Sequence, residues 1–318
     1  PFIHALRKAA PDAHITMLVD EKLKDVVLFN PYLDEVVTID KKGRDNSILS
    51  LWACSRHLSK LDFDVLINLH PNERCSFIDA MTSVKLRTGT THKIFKWFWD
   101  VFTPLDRSMH AADMYLDVLQ QLGVQDLSSN GLEIFPGEEH FLEAELFWQE
   151  QNITDQDKLI GFNIGSAVPT KRWPPERFAE VADIFAAKGY KTVFFGGPMD
   201  EEMVAEATGY MQTRPIIATG HFAIGGLAAA MRRCCLIITN DSGPMHVAIS
   251  QKVPIVAMYG PSNPKLYGPY TKDAVIVTAQ PPCQGCADGM KHSCDDLQCM
   301  SRMTVEQVVA AAEKMLEK

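Results

Sequence analysis

No stretch of the 318 residues approaches the roughly 20 consecutive apolar residues of a membrane-spanning helix, which excludes a helical membrane span. Positive charge is also scarce. The chain carries 31 Lys and Arg against 40 Asp and Glu, a net charge of −9, whereas a binder of phosphate backbones needs the opposite imbalance. Nucleic acid is therefore not an expected partner. No strand-like run is followed by Gly-x-Gly-x-x-Gly, so a nicotinamide-dependent oxidoreductase is poorly supported. There is no internal repeat and no low-complexity tract. Eight Cys are too few for a disulfide scaffold of this length, and Cys54, Cys75, Cys234 and Cys235 lie in apolar or helical stretches that suit buried, reduced thiols. A cytoplasmic setting fits best.

What the chain does have is an ordinary globular composition, 46% hydrophobic and 22% charged, and enough length for two domains. Short β-branched runs alternate with helical patterns, the signature of βαβ units and a parallel sheet. The runs His14–Val19, Glu35–Ile39 and Asp64–Leu69 predict strands in the first half. Five more are predicted from Leu159, Thr192, Leu236, Ile255 and Val275. The polar stretch from Gln125 to Gly131, with Leu132 to Glu139 after it, is the expected interdomain region, giving domains over 1–137 and 138–318. A last helix from Thr304 to Glu317 opens on Thr304 and Gln307 in capping-box positions and is a candidate to cross back to the first domain. Pro1 to Lys8 already reads as a helix, so a first strand is expected upstream of Pro1.

Three segments carry chemistry. Thr239-Asn240-Asp241-Ser242-Gly243-Pro244-Met245-His246 follows an apolar run and opens a helix, a geometry whose free N–H groups and positive dipole end favour an anion. Gly243 lets a ligand approach the backbone, and Ser242 adds a hydroxyl donor. An Asp or Ser cap before a core-packed His246 reads the same residues equally well. Asn163 to Pro174 again leaves a predicted strand and places Ser166, Thr170, Lys171 and Arg172 in one loop, where a cation would neutralise a departing nucleoside diphosphate. Its alternative is a solvated loop anchored by Trp173. The third, Gly196-Gly197-Pro198-Met199-Asp200-Glu201-Glu202, offers a carboxylate to a ribose hydroxyl or merely complements a helix dipole.

In this order the segments resemble glycosyltransferase family 9, the ADP-heptose:lipopolysaccharide heptosyltransferases, with their Lys-x-Trp-Pro loop and Asp-Ser/Thr-Gly-x-x-His turn. Asp64 to His70, Arg87-Thr88-Gly89 and His110 follow the family's order in the first half. The resemblance implies an α/β chain of two Rossmann-like domains facing across a cleft (GT-B type), the first binding acceptor and the second the donor. It also implies an inverting, metal-independent transfer of heptose from an ADP-sugar to lipopolysaccharide core or another surface glycan, with no cofactor beyond that co-substrate. Ser166, Thr170, Lys171, Glu201, Asp241, Ser242, Gly243 and His246 then form the donor site, with Lys171 stabilising the leaving group. Met199 stands where the family keeps its ribose-holding acid, which leaves Glu201, or Asp200 beside it, as the carboxylate for that role. The family's catalytic base, an Asp in a Gly-Asp turn, is expected before Pro1, and the alternative function is a catalytically silent nucleotide-sugar-binding protein.

Two further features stand apart. Between Arg74 and Arg107 six basic residues face three acidic ones around Ile94-Phe95-Lys96-Trp97-Phe98-Trp99, an island suited to an anionic glycolipid acceptor at the inner face of the inner membrane, or to aromatics turned into the core. Cys283, Cys286, Cys294 and Cys299 would hold a structural zinc or form disulfides.

Overall fold

The alternation of apolar runs with helical stretches becomes parallel strands throughout: every strand pairing among the described residues is parallel. The structure is a computed structural model that describes residues 1–106, 108–279 and 297–317. These divide into two compact units, 1–24 with 31–130 and 25–30 with 131–318. The division falls at Asn130 and Gly131 because Leu132 and Ile134 already pack into the core of the second unit.

Up to Asn130 the elements are α1 (Phe2–Ala9), β1 (Thr16–Asp20), α2 (Lys24–Val27), β2 (Glu35–Ile39), α3 (Ile48–Ser59), β3 (Val65–Asn68), α4 (Glu73–Met81), β4 (Leu86–Gly89), β5 (Val101–Phe102) and α5 (Ala111–Gln121). They form a β1-β2 sheet and a β3-β4-β5 sheet. Ser47 caps α3 through a reciprocal bond with Ser50, and Asn72 caps α4 by accepting from Cys75 N. Gly89 answers a close approach. It sits at φ +99°, and a Cβ there would lie 2.2 Å from the Asn68 carbonyl oxygen across the β3–β4 pair.

The second unit continues with α6 (Glu138–Glu150), β6 (Leu159–Asn163), α7 (Pro175–Ala187), β7 (Lys191–Phe195), α8 (Glu201–Tyr210), β8 (Ile216–Ile217), α9 (Ile224–Met231), β9 (Cys234–Asn240), α10 (Gly243–Ser250), β10 (Ile255–Met258), α11 (Pro264–Tyr267), β11 (Ala274–Val277), α12 (Gln298–Ser301) and α13 (Val305–Leu316). Its sheet runs β11-β10-β9-β6-β7-β8. Counted within the unit, that is the doubly wound 6-5-4-1-2-3 order, with its switch point between the first strand, β6, and the fourth, β9. Strand side chains alternate between two cores. Ile160, Phe162, Leu236 and Val256 meet α7 and α13 on one face, while Leu159, Ile237, Ile255 and Ala257 meet α6, α9 and α10 on the other. Burial on both faces explains why these strands read as unbroken apolar runs.

Two expectations change. The sheet has a sixth strand, β8, too short to stand out as a run, and α13 does not cross back. Val305, Val308, Ala312 and Met315 bury it in the second unit's own core, starting from the predicted Thr304–Gln307 box. Three of the four clustered cysteines, Cys283, Cys286 and Cys294, lie outside the described residues. Cys299 is buried. Burial raises the thiol pKa of Cys54, Cys75, Cys234 and Cys235, keeping all four protonated.

Candidate functional site

In a doubly wound sheet the crevice at the switch point collects ligands, because the loops leaving its two strands diverge there. The two strongest sequence segments are those loops, one leaving β6 and the other β9. Lys171, in a 3-10 turn after β6, reaches Asp241 after β9, Nζ to Oδ2 2.7 Å, and both side chains are almost fully buried. The same Oδ2 accepts from the Ser262 hydroxyl, and Oδ1 lies 3.2 Å from the Tyr259 hydroxyl. Tyr259 is wholly buried and stands 2.8 Å from the Tyr267 carbonyl. Burial, then the negative charge of Asp241, hold its phenol above its ordinary pKa, so it remains a proton donor.

A second layer joins the two loops. Asn240 accepts from Trp173 N at 3.1 Å and donates to the Ile164 carbonyl at 2.7 Å. Asn163 Nδ2 donates to Thr239 Oγ1 and, at 2.7 Å, to Ser242 Oγ, while Asn163 Oδ1 is buried with no partner among the described residues. Trp173 is fully buried edge-on to Phe178 and donates to the Met303 carbonyl, so it anchors the loop by packing.

Of the expected donor residues, Ser166, Thr170 and Asp241 are buried, and the Lys171 side chain is 12% exposed. Ser166 Oγ lies 3.4 Å from the Asp241 carbonyl oxygen and accepts from Val168 N at 3.3 Å, and Arg172 donates to the Ser166 carbonyl at 2.9 Å. Arg172 thus braces the loop. Ser242 and His246 are half-buried, and Gly243 is exposed with no atom of the described residues within 4 Å of where a Cβ would stand. The start of α10 therefore has open ground above it, as an incoming anion requires. Glu201 is exposed, its carboxylate set against Gly220 after β8. Asp200, not Glu201, reaches the loop after β6: a Cβ on Gly165 would lie 2.1 Å from Asp200 Oδ1. Sequence reasoning missed Tyr259 and Ser262. Their signal was position, since Tyr259 directly follows β10 and so stands at the same edge of the sheet as Asp241.

The first unit has a different strand edge. A recess of about 450 Å³ is lined by Asn72, Glu73, Arg74 and His92, which follow β3 and β4. Thr91 Oγ1, His92 Nδ1 and Thr103 Oγ1, after β4 and β5, are buried without a hydrogen-bond partner among the described residues. Arg87 of the Arg-Thr-Gly segment does not face this recess. Its guanidinium instead donates to the carbonyls of Asp79, Thr82 and Phe98 and ties three segments together. Below it Asp79 is buried against Asn68, and desolvation lifts its pKa to about 7 despite the nearby Arg87 charge. No group of His, Cys, Asp and Glu suited to a metal ion occurs among the described residues.

A doubly wound unit following a second parallel α/β unit is the GT-B architecture, and solved structures share it. ADP-heptose lipopolysaccharide heptosyltransferase II of Escherichia coli superposes with a TM-score of 0.76 at 20% identity, covering 99% of this chain and 93% of that one. The chain belongs to glycosyltransferase family 9 (heptosyltransferase), which matches residues 51–294. A family 9 glycosyl transferase from Veillonella parvula DSM 2008 superposes with a TM-score of 0.95 at 52% identity, over 100% of this chain and 92% of that one. Lipopolysaccharide heptosyltransferase 3 of Escherichia coli K12 is 23% identical over 334 residues, 99% of this chain and 93% of that protein.

Proposed function

We propose that this chain transfers a heptose, or a closely similar sugar, from an ADP-sugar to lipopolysaccharide core or another surface glycan, with inversion at the anomeric carbon. The observation that carries the reading is the buried Lys171–Asp241 pair at the switch point, beside the open start of α10. The diphosphate lies over Ser242 and Gly243, where N–H groups and the helix dipole receive it. Ser166, Thr170 and His246 border it, and Glu201 is the acid available to the ribose. As the acceptor hydroxyl loses its proton to a general base and attacks, charge develops on the departing ADP. Lys171 has three N–H donors, of which Asp241 engages one, so the ammonium is aimed in advance and stabilises that charge without a metal. Asp241 positions Lys171 and does not itself meet the anion.

The acceptor is an anionic glycolipid received by the first unit, which places the enzyme in the cytoplasm at the inner face of the inner membrane. Differential scanning fluorimetry tests the donor. A ligand at about 100 times its Kd stabilises the folded state by about 2.7 kcal/mol, so ADP-heptose is expected to raise Tm clearly and UDP-sugars are not. Equal shifts with both would overturn the ADP assignment. Release of ADP that depends on acceptor separates a transferase from a silent binder.

A further inference from the structure

The five large hydrophobic side chains most open to solvent among the described residues are Trp97 (95%), Met199 (82%), Leu49 (78%), Ile48 (73%) and Ile94 (68%). All but Met199 lie on two short segments of the first unit: the first turn of α3 and the 3-10 turn Lys93–Phe98. Both segments flank the first turn of α4. Arg74 donates to Asn46 Oδ1 and to the Lys41 carbonyl in the loop that leads into α3. Ser76 Oγ accepts from His92 N, the residue before the 3-10 turn. The recess of Asn72, Glu73, Arg74 and His92 lies between these anchor points. Behind the prominences the inward side chains are accounted for, because Phe95 packs edge-on to Phe77, and Trp99 is buried with its indole N–H on the Thr88 carbonyl. The exposed set is therefore left over from core packing.

Charge identifies what covers it. In a chain of net charge −9, neither the first turn of α3 nor the 3-10 turn contains an acidic residue, and the 3-10 turn carries Lys93 and Lys96. An exposed indole and aliphatic side chains interleaved with cations match an anionic lipid interface and mismatch a neutral protein partner. We propose that the first turn of α3 and the 93–98 turn form a bilayer-docking face, Trp97, Leu49 and Ile48 entering the headgroup layer and Lys93 and Lys96 meeting lipid phosphates, with the recess between them presented to the membrane. The inference rests on the reading of the acceptor as a membrane-anchored glycan, for which it supplies the direction of entry.

Sedimentation of the full chain with vesicles tests it. Binding is expected to vesicles of equal parts phosphatidylethanolamine and phosphatidylglycerol, to weaken with added salt, and to be slight on pure phosphatidylcholine. Trp97→Ser combined with Leu49→Ser is expected to lower partitioning by at least about tenfold, and Lys93→Glu with Lys96→Glu by a similar factor. The same variants should keep the wild-type melting temperature and its rise with ADP-heptose, since the donor loops belong to the other unit. Wild-type failure to bind anionic vesicles, or unchanged binding by both variants, overturns the docking face. Loss of the ADP-heptose shift with vesicle binding intact overturns the proposed donor instead.

Discussion

At the carboxyl ends of β6, β9 and β10 the polar side chains hold one another: Lys171, Ser262 and Tyr259 converge on Asp241, and Asn240 and Asn163 join the loops. At the carboxyl ends of β3, β4 and β5 Asn68 still pairs with Asp79, but Thr91 Oγ1, His92 Nδ1 and Thr103 Oγ1 have no hydrogen-bond partner among the described residues, and the open recess there is lined by Asn72, Glu73, Arg74 and His92. Under the function proposed above, the contrast answers two binding problems. A small, highly charged nucleotide rewards groups fixed before it arrives, because reorganisation is then avoided when charge develops. A bulky acceptor rewards an open surface.

The sharpest way to break this comparison is to unbalance the donor network. Asp241→Asn leaves Lys171 buried without a counter-charge and is expected to lower unfolding stability by about 3–5 kcal/mol in urea titrations. Lys171→Ala is expected to reduce kcat by about 100- to 1,000-fold, the scale of one lost donor to a developing oxyanion. Wild-type behaviour in both would show that the pair neither holds the loops nor serves the leaving group.

Next comes the pH response of the first unit. Asp79 titrates near pH 7 in the folded chain and near its ordinary carboxylate value when unfolded. Between those values the native state keeps a proton that the unfolded state has lost, so stability is fullest in acid and falls as pH rises towards 7, by up to about 1.4 kcal/mol per unit. Asp79→Asn should abolish that slope in urea melts from pH 5 to 8, and an identical slope in the variant would remove Asp79 as its source.

Glycines probe filled against open space. Gly165→Ala drives a Cβ into Asp200 and should cost about 1–3 kcal/mol, whereas Gly243→Ala meets nothing and should stay within about 0.5 kcal/mol by thermal melt. The smallest expected effect is that of a chelator, which should leave the transfer rate unchanged. A loss restored by one added metal would remove metal independence from the proposal.

Much of this was legible in the sequence, for local reasons. Doubly buried strands such as Leu159–Asn163 and Ile255–Met258 advertise themselves as apolar runs, and the Thr304 capping box announces α13. The paired loops of Lys171 and Asp241 were found because both follow such runs. Their direct contact was not legible, since it depends on β6 and β9 being neighbours although 70 residues separate the partners. Strand order also hid Tyr259 and Ser262. The outward turn of Trp97 beside the inward Trp99 was equally unreadable, because both outcomes suit one aromatic-rich string.

Tyr259 has one phenolic hydrogen and three acceptors within reach, the Asp241 carboxylate after β9, the Met245 sulfur in α10 and the Tyr267 carbonyl at the end of α11. At any instant it serves one of them. One buried hydroxyl thus links the loop after β9, α10 and the end of α11, three segments of the second unit, through a single shared hydrogen.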